Sequence, residues 1–478
     1  MEKSNVNVPG DSPEKVENQS SVEFDRQSRY KNFDYFKPFP SRLPLVACNP
    51  NLQGGELPAD ECKELKDCGI NHTVLEFRTN QIVSPATNDV ITSSIDTANS
   101  REIKTILKHR YLGADNIAPT QQDISRCSEF VNAYKSRGVV GYICGEIPFR
   151  QNPEQLAPFA KAIHEADPNH PILTVLPDST SLGLEWKSSY EDFIKSVQQN
   201  LMPGVWIVDC PACYKYDNGW EERKFIEYFN ALETFALMSR YTGRPFWATV
   251  KCDWLDNHDN TPFPTQSRLL FTALSALAYG AKGLIYNKFR AQEETLTDTD
   301  EMAPLAYDGY STDLWISVKS VNQRIAKFEN IFLRSLVAEV VHAQTYVNNG
   351  EDASLIFPTR EWINYYKDSN WIVPKILFRK FREPVGPLMN VETGRWGVVI
   401  SHMVLPMEAA PHKAQDFLVI LNRDVVDAQT ITLSFSDYYK IYRILSYGVN
   451  EPMIKTLIND TTVSYTLKPG DCLIFRWE

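Results

Sequence analysis

At 478 residues, with 43% hydrophobic and 12% aromatic side chains, the chain exceeds what one ordinary core organises and predicts two globular domains. Its 49 basic against 60 acidic residues give a net charge of -11 with no long basic run. That balance argues against nucleic acid and anionic membranes, which are bound through Lys and Arg neutralising phosphates, and leaves an uncharged ligand as the better fit. No stretch approaches the roughly 20 apolar residues of a membrane span, and the start lacks a basic n-region followed by an apolar core.

Residues 1–40 are rich in Ser, Asn, Glu, Asp and Lys and read as a disordered leader. From Leu43 a unit recurs: a short apolar strand, a polar loop, an amphipathic helix and a tight turn. The strands are expected at Pro44–Cys48, Thr73–Phe77, Thr105–Lys108, Gly141–Gly145, Ile172–Leu176, Val205–Asp209, Pro245–Lys251 and Gly283–Tyr286. Helices are expected at Asp60–Asp67, Gln121–Ser136, Asn152–Ala166, Tyr190–Asn200, Glu221–Tyr241, Gln266–Tyr279 and Asp313 to about Phe332. Turns such as Cys68-Gly69, Arg137-Gly138 and Tyr279-Gly280 supply helix stops.

Eight such units over about 250 residues suit a closed parallel barrel. The predicted class is therefore α/β, a (β/α)8 TIM barrel over 41–337. Beyond it, strands follow one another without helices: Val340–Tyr346, Ala353–Phe357, Ile376–Phe381, Trp396–His402, Phe417–Leu421, Thr430–Ser434, Tyr439–Leu445, Thr462–Leu467 and Cys472–Trp477. Turn residues separate them, which predicts a smaller all-β sandwich over 338–478.

The nine cysteines are mostly scattered singly in apolar contexts, where a free Cys behaves as a small hydrophobe. Only Cys210-Pro211-Ala212-Cys213 has a motif's spacing. It runs on into loop, and four zinc ligands are not in view, so no metal site is expected.

The stretch Gly141-Tyr142-Ile143-Cys144-Gly145-Glu146-Ile147-Pro148 is an apolar strand that stops on a carboxylate. In a barrel this leaves Glu146 on the rim where the loops converge. Aromatic residues at or beyond strand ends include Trp186, Tyr214, Trp220, Trp247, Trp254 and Tyr286, flat rings suited to stacking on sugar faces. Trp247 is equally suited to filling the barrel. Asn49, His109, Asn287 and Arg290 are candidates for hydrogen bonds to such a ligand.

Several phrases resemble glycoside hydrolase (β/α)8 barrels of the β-galactosidase-like clan, clan A type. They are Leu65-Lys66-Asp67-Cys68-Gly69-Ile70-Asn71, the run from Glu146 to Asp167-Pro168-Asn169-His170-Pro171, Phe246-Trp247-Ala248-Thr249-Val250, Ala276 to Gly283, and Val321-Asn322. The resemblance covers about 43 to 340. It implies a retaining glycosidase with a Glu acid/base after strand four and a Glu nucleophile after strand seven.

Glu146 matches the acid/base position. The clan has Asn or an acid before it, where this chain has Gly145, and Ile147 separates Glu146 from Pro148. Strand seven ends Val250-Lys251-Cys252-Asp253, so Lys251 or Cys252 stands where the nucleophile would be. Glycoside hydrolysis needs two carboxyls, about 5 to 5.5 Å apart for retention and wider for inversion. Asp209, ending strand six, is the first candidate for the second, followed by Asp253 and Glu76. Glu76 has a structural alternative in pairing Arg78 or Arg110, and Asp253 in capping a loop.

Two readings follow. In one the chain hydrolyses a β-linked sugar with Glu146 as general acid/base and Asp209 or Asp253 as partner. In the other it is a catalytically silent glycan binder, since a cation at Lys251 handicaps a general acid. Glu76, Arg78, Tyr214, Lys251, Trp254, Tyr286 and Asn287 are the expected substrate contacts, with an oligosaccharide or polysaccharide as partner. No metal or organic cofactor is implied. The hydrophilic leader and the resemblance lean towards export to periplasm or cell surface, and Met1 towards the cytoplasm.

Overall fold

A computed structural model describes residues 41–49, 56–77, 85–113, 119–145, 152–177, 190–209, 222–255, 263–291, 301–343, 384–394, 396–407 and 410–478. The leader, Arg78, Glu146, Trp186, Tyr214, Trp220, the Cys210/Cys213 pair and the expected strands Ala353–Phe357 and Ile376–Phe381 lie outside these residues.

Eight parallel strands close into a barrel: β1 (Leu45–Asn49), β2 (His72–Phe77), β3 (Lys104–His109), β4 (Val139–Ile143), β5 (Ile172–Pro177), β6 (Val205–Asp209), β7 (Phe246–Lys251) and β9 (Leu284–Asn287). The short β8 (Trp254–Leu255) pairs with β10 (Glu301–Met302) outside the barrel. Closure is direct, since β9 pairs in parallel with both β1 and β7.

Side chains alternate across these strands because the strand period is two. One set meets in the lumen: Val46, Val74, Ile106, Ile143, Leu173, Val205, Ile207, Trp247 and Ile285. The other set faces the helices, among them Leu45, Leu75, Leu107, Tyr142, Trp206, Val250 and Tyr286. Trp247 fills the lumen, and Gly283 on the neighbouring turn makes room for it. A Cβ at Gly283 would lie 2.7 Å from the indole ring.

The helices are α1 (Ala59–Asp67), α2 (Pro85–Ser100), α3 (Gln121–Tyr134), α4 (Pro153–Ala166), α5 (Tyr190–Leu201), α6 (Glu222–Thr242), α7 (Gln266–Ala278), α8 (Asp313–Ala326) and α9 (Glu329–Arg334). The sequence gives α2 no clear signal, because its Ser, Thr, Asn and Asp residues favour caps and turns over helix interiors. Ile91, Ile95 and Ala98 nevertheless bury a stripe at helical spacing. The single helix expected from Asp313 breaks in two at Phe328, whose φ of -126° and ψ of 14° are not helical. The break lets Glu329 accept from both Arg42 Nε, at 2.9 Å, and the Leu43 amide, at 2.6 Å, which ties β1's approach to the barrel wall.

Beyond α9 the chain is β throughout the described residues. A six-stranded sheet has the order β11 (Leu336–Ala343), β13 (Val398–Met407), β14 (Ala410–Asn422), β19 (Cys472–Trp477), β16 (Ile441–Ser446), β17 (Ile454–Ile458). A three-stranded sheet has the order β12 (Leu388–Glu392), β15 (Gln429–Phe435), β18 (Thr462–Leu467). Ile400, Leu418, Ile420 and Phe475 of the first meet Leu388, Ile431, Leu433 and Leu467 of the second in one apolar core, the packing of a sandwich. The other face of the large sheet, through Val399, Met403, Phe417, Val419 and Ile474, joins the barrel's outer core.

Candidate active site

The carboxyl ends of the barrel strands carry the chemistry-bearing residues. Two positions past Val74, Ile106, Ile207 and Ile285, the alternation turns Glu76, Lys108, Asp209 and Asn287 to the lumen side. Four past Trp247 it turns Lys251 the same way. The side-chain contacts agree: Glu76 Oε1 lies 3.2 Å from Lys108 Nζ, and Thr249 Oγ1 donates to Asp209 Oδ1 at 2.7 Å. The parallel register sets Glu76 opposite Lys108. It accounts for this ion pair; Arg78, one of the two cations the sequence suggests for Glu76, lies outside the described residues. Lys108 is the residue that sequence reasoning missed, although it follows Ile106 in the lumen phase.

Glu76 is buried, whereas Asp209 and Lys251 are partly exposed at their strand ends. Asp253, the other acid considered as a partner, is 8% exposed, and its Oδ1 accepts the Lys288 amide at 3.0 Å. Burial raises its pKa, while the Lys251 charge and the Lys288 amide pull in the opposite direction. Its neighbour Cys252 faces outward, donates its thiol to the Lys288 carbonyl at 3.1 Å, and has a pKa pushed well above the ordinary thiol value by desolvation. Of the two residues at the end of strand seven, Lys251 therefore reaches the lumen and Cys252 does not.

At the end of strand four, β4 stops at Ile143, two residues before the expected end. Gly145 turns away with φ 71°, its amide donating to the Leu112 carbonyl at 3.0 Å. That left-handed conformation admits Gly readily and Asn or Asp tolerably, so the Gly at this position has a backbone reason.

Three expected contacts are displaced. Tyr286 is fully buried on the outer side of β9, where its hydroxyl bonds Asn322 of α8, because alternation gives the lumen to Ile285 and Asn287. Asn322 also donates to the Cys68 carbonyl at 2.9 Å, and its Cβ lies 3.3 Å from where a Cβ on Gly69 would be. The Cys68-Gly69 and Val321-Asn322 phrases thus join β9 to the first and last barrel helices. His109 points outward as well: it stacks on Phe130 at 4.5 Å, and desolvation lowers its pKa to about 4. Arg290 is bound to Glu61 of α1 at 2.5 Å and to the Tyr307 carbonyl at 2.7 Å. Trp254, in β8 just past strand seven, remains partly exposed with Phe263 edge-on at 5.7 Å.

The Asp167-Pro168-Asn169-His170 turn is structural. Asp167 accepts from Tyr142 Oη at 2.8 Å and lies 2.6 Å from His170 Nδ1, bracing β4 against the turn before β5. Burial pushes the thiols of Cys62 and Cys127 up to about 12. Among the described residues no cluster of His, Cys, Asp or Glu is arranged to hold a metal ion, and no helix is long and apolar enough to cross a membrane.

No protein-family model matches the sequence, and no curated protein matches it. Among solved structures, a β-galactosidase from the psychrophilic Marinomonas ef1 is similar with a TM-score of 0.47 at 9% identity, covering 91% of this chain and 100% of that one. An α-amylase from Geobacillus thermoleovorans, complexed with acarbose, has a TM-score of 0.47 at 11% identity over 88% of this chain and 91% of its own. A GH27 β-L-arabinopyranosidase from Geobacillus stearothermophilus, in complex with arabinose, has a TM-score of 0.45 at 11% identity over 93% and 98%. The barrel and β-domain assignment stands on strand order and register, independently of these overlaps.

Proposed function

We propose that the chain is a carbohydrate-active protein that hydrolyses a β-linked sugar at the carboxyl end of the barrel, with Glu146 as general acid/base and Asp209 as the partner carboxylate. The observation that carries the reading is the position of Asp209. It ends β6 on the lumen side, partly exposed and held by the Thr249 hydroxyl, whereas Glu76 is paired with Lys108 and Asp253 is buried against the Lys288 amide. The Thr249 hydroxyl, a neutral donor, orients the Asp209 carboxylate at the strand end. The resemblance of the Glu146 segment supports the acid/base role, and Trp254 at the rim suits a stacking contact.

Asp209→Asn keeps the size and the contact with Thr249 while removing the charge. Its turnover of aryl β-glycosides is expected to fall by about 10² or more. Unchanged turnover in that variant would remove Asp209 from the reaction.

A second reading, a catalytically silent glycan binder, is favoured by Lys251 standing on the lumen side where the resemblance places a nucleophile. Retention of glycans on an affinity column without release of any sugar would select it.

A further inference from the structure

We propose that the hairpin tip Tyr307-Asp308-Gly309-Tyr310 is a sugar-stacking subsite on the barrel rim, which takes a unit of a neutral β-linked glycan chain beyond the one held in the lumen; the proposal rests on the carbohydrate reading above. The tip belongs to the connection from β9 to α8, and such connections form the face onto which the barrel strands point. The Leu305 amide donates to the Phe289 carbonyl at 2.9 Å, and the Leu305 carbonyl accepts the Ala291 amide at 2.9 Å. The base of the hairpin is thus paired with the segment that directly continues β9.

Local pairing fixes the conformation of the tip. Leu305 bridges Ser311, the Ala306 carbonyl accepts the Gly309 amide at 2.9 Å, and the Ala306 amide donates to the Tyr310 carbonyl at 2.8 Å. Gly309, at φ 90°, supplies the left-handed position that such a short hairpin needs. Asp308 Oδ1 accepts the Tyr310 amide at 3.3 Å. Arg290 ties the tip to the barrel wall, donating both to the Tyr307 carbonyl and to the buried Glu61 of α1. At the foot, Thr312 Oγ1 donates to the Ala303 carbonyl at 2.6 Å.

This support holds up side chains that it does not bury. Leu305 is fully buried, whereas Tyr310 is 75% exposed and Tyr307 37%. A tyrosine on a fixed backbone offers a flat apolar face at little cost in conformational entropy, which suits the apolar face of a sugar ring. Between the two, the exposed Asp308 carboxylate only accepts hydrogen bonds; that favours sugar hydroxyls and opposes a uronate or a sulfate. The apolar rim continues towards strand seven, where β10 sets Met302 opposite Trp254 and Phe263 meets Trp254 edge-on at 5.7 Å. The tip stands past Asn287, the last lumen residue of β9, so units further along a chain from the bound sugar are those that reach it.

The test is calorimetry of the full chain with β-linked gluco-, manno-, xylo- and galacto-oligosaccharides, from disaccharides to hexasaccharides, together with a uronate-bearing series. Wild type is compared with Tyr310→Ala, Tyr310→Phe and a double variant carrying Tyr307→Ala and Tyr310→Ala, each checked for an unchanged thermal midpoint. The expected result is a neutral series whose longer members bind wild type about tenfold more tightly than its disaccharide. That gain is lost in Tyr310→Ala and in the double variant, kept in Tyr310→Phe, and the disaccharide binds all four proteins equally. A disaccharide bound as tightly as the hexasaccharide, a gain that survives in the double variant, or an equal gain in the uronate series would overturn the proposal and leave the carbohydrate reading standing. Binding of no glycan at all would overturn both.

Discussion

Lys282 shows how burial sets the behaviour of a single group in this chain. It sits at the turn into β9, 7% exposed, and donates to the carbonyls of Phe332 at 2.7 Å and Ser335 at 2.6 Å, where α9 gives way to β11. Desolvation lowers its pKa to about 7, and a neutral amine still has two N–H groups for these two acceptors. Between that value and the ordinary lysine range near 10.4, the unfolded chain binds the extra proton, so stability contributed here rises with pH. Urea unfolding at about pH 7 and about pH 9 is expected to show wild type gaining stability relative to Lys282→Met as pH rises. A parallel response of the two proteins would place the pKa in the ordinary range.

At this same scale the lumen was partly legible in the sequence. Asp209 and Lys251 were readable because their strands are regular and end on them. Tyr286 and His109 were misassigned because a strand-end aromatic or imidazole looks the same whether it faces lumen or helix; the phase is fixed only once the register with neighbouring strands is known.

At the scale of elements, strand positions could be read to within two residues around the barrel, because buried parallel strands are short apolar runs bounded by turns. What pattern could not show is how elements accommodate one another. Gly283 is such a case: Gly283→Ala would set a methyl against the rigid Trp247 ring. It is expected to cost about 1–3 kcal/mol of stability, measured by chemical denaturation. A loss below about 0.5 kcal/mol, the range of ordinary surface substitutions, would mean that the ring moves freely in the lumen. The break at Phe328 was hidden for a related reason, since a continuous apolar stripe runs through Val321, Ile325 and Phe328. Tertiary contacts separate α8 from α9: Glu329 is drawn to Arg42 and Leu43, and Tyr447 bonds the Lys327 carbonyl and the Asn330 amide on either side of the break.

At the scale of the whole molecule, α7 accounts for the union of barrel and β domain. Every residue from Leu269 to Ala278 is buried, so no face of this stretch is open to solvent: the helix packs against α8, against β7, and against β13 and β14. Polar ties reinforce the contact: Ser401 Oγ donates to the Ala278 carbonyl at 2.6 Å, Tyr279 Oη meets His342 Nε2 at 2.8 Å, and Arg324 Nε bonds Asp471 at 2.8 Å. Gly470, at φ 66°, lets the β18–β19 turn approach α7, where a Cβ would run into the Ser267 carbonyl oxygen. The expected consequence is one cooperative unfolding transition, coincident by far-ultraviolet circular dichroism and tryptophan fluorescence. Two separated transitions would show that the β domain folds independently of the barrel.

The function turns on whether the mouth of the barrel breaks a glycosidic bond. The most direct measurement is hydrolysis of a panel of aryl β-glycosides and plant or host oligosaccharides by wild type and Glu146→Gln across about pH 4 to 8. Turnover by wild type, with a loss of about 10² to 10⁴ in the variant, is the expected result. Equal turnover in the two proteins would contradict the role given to Glu146, and no turnover by wild type on any substrate would contradict the hydrolase reading itself.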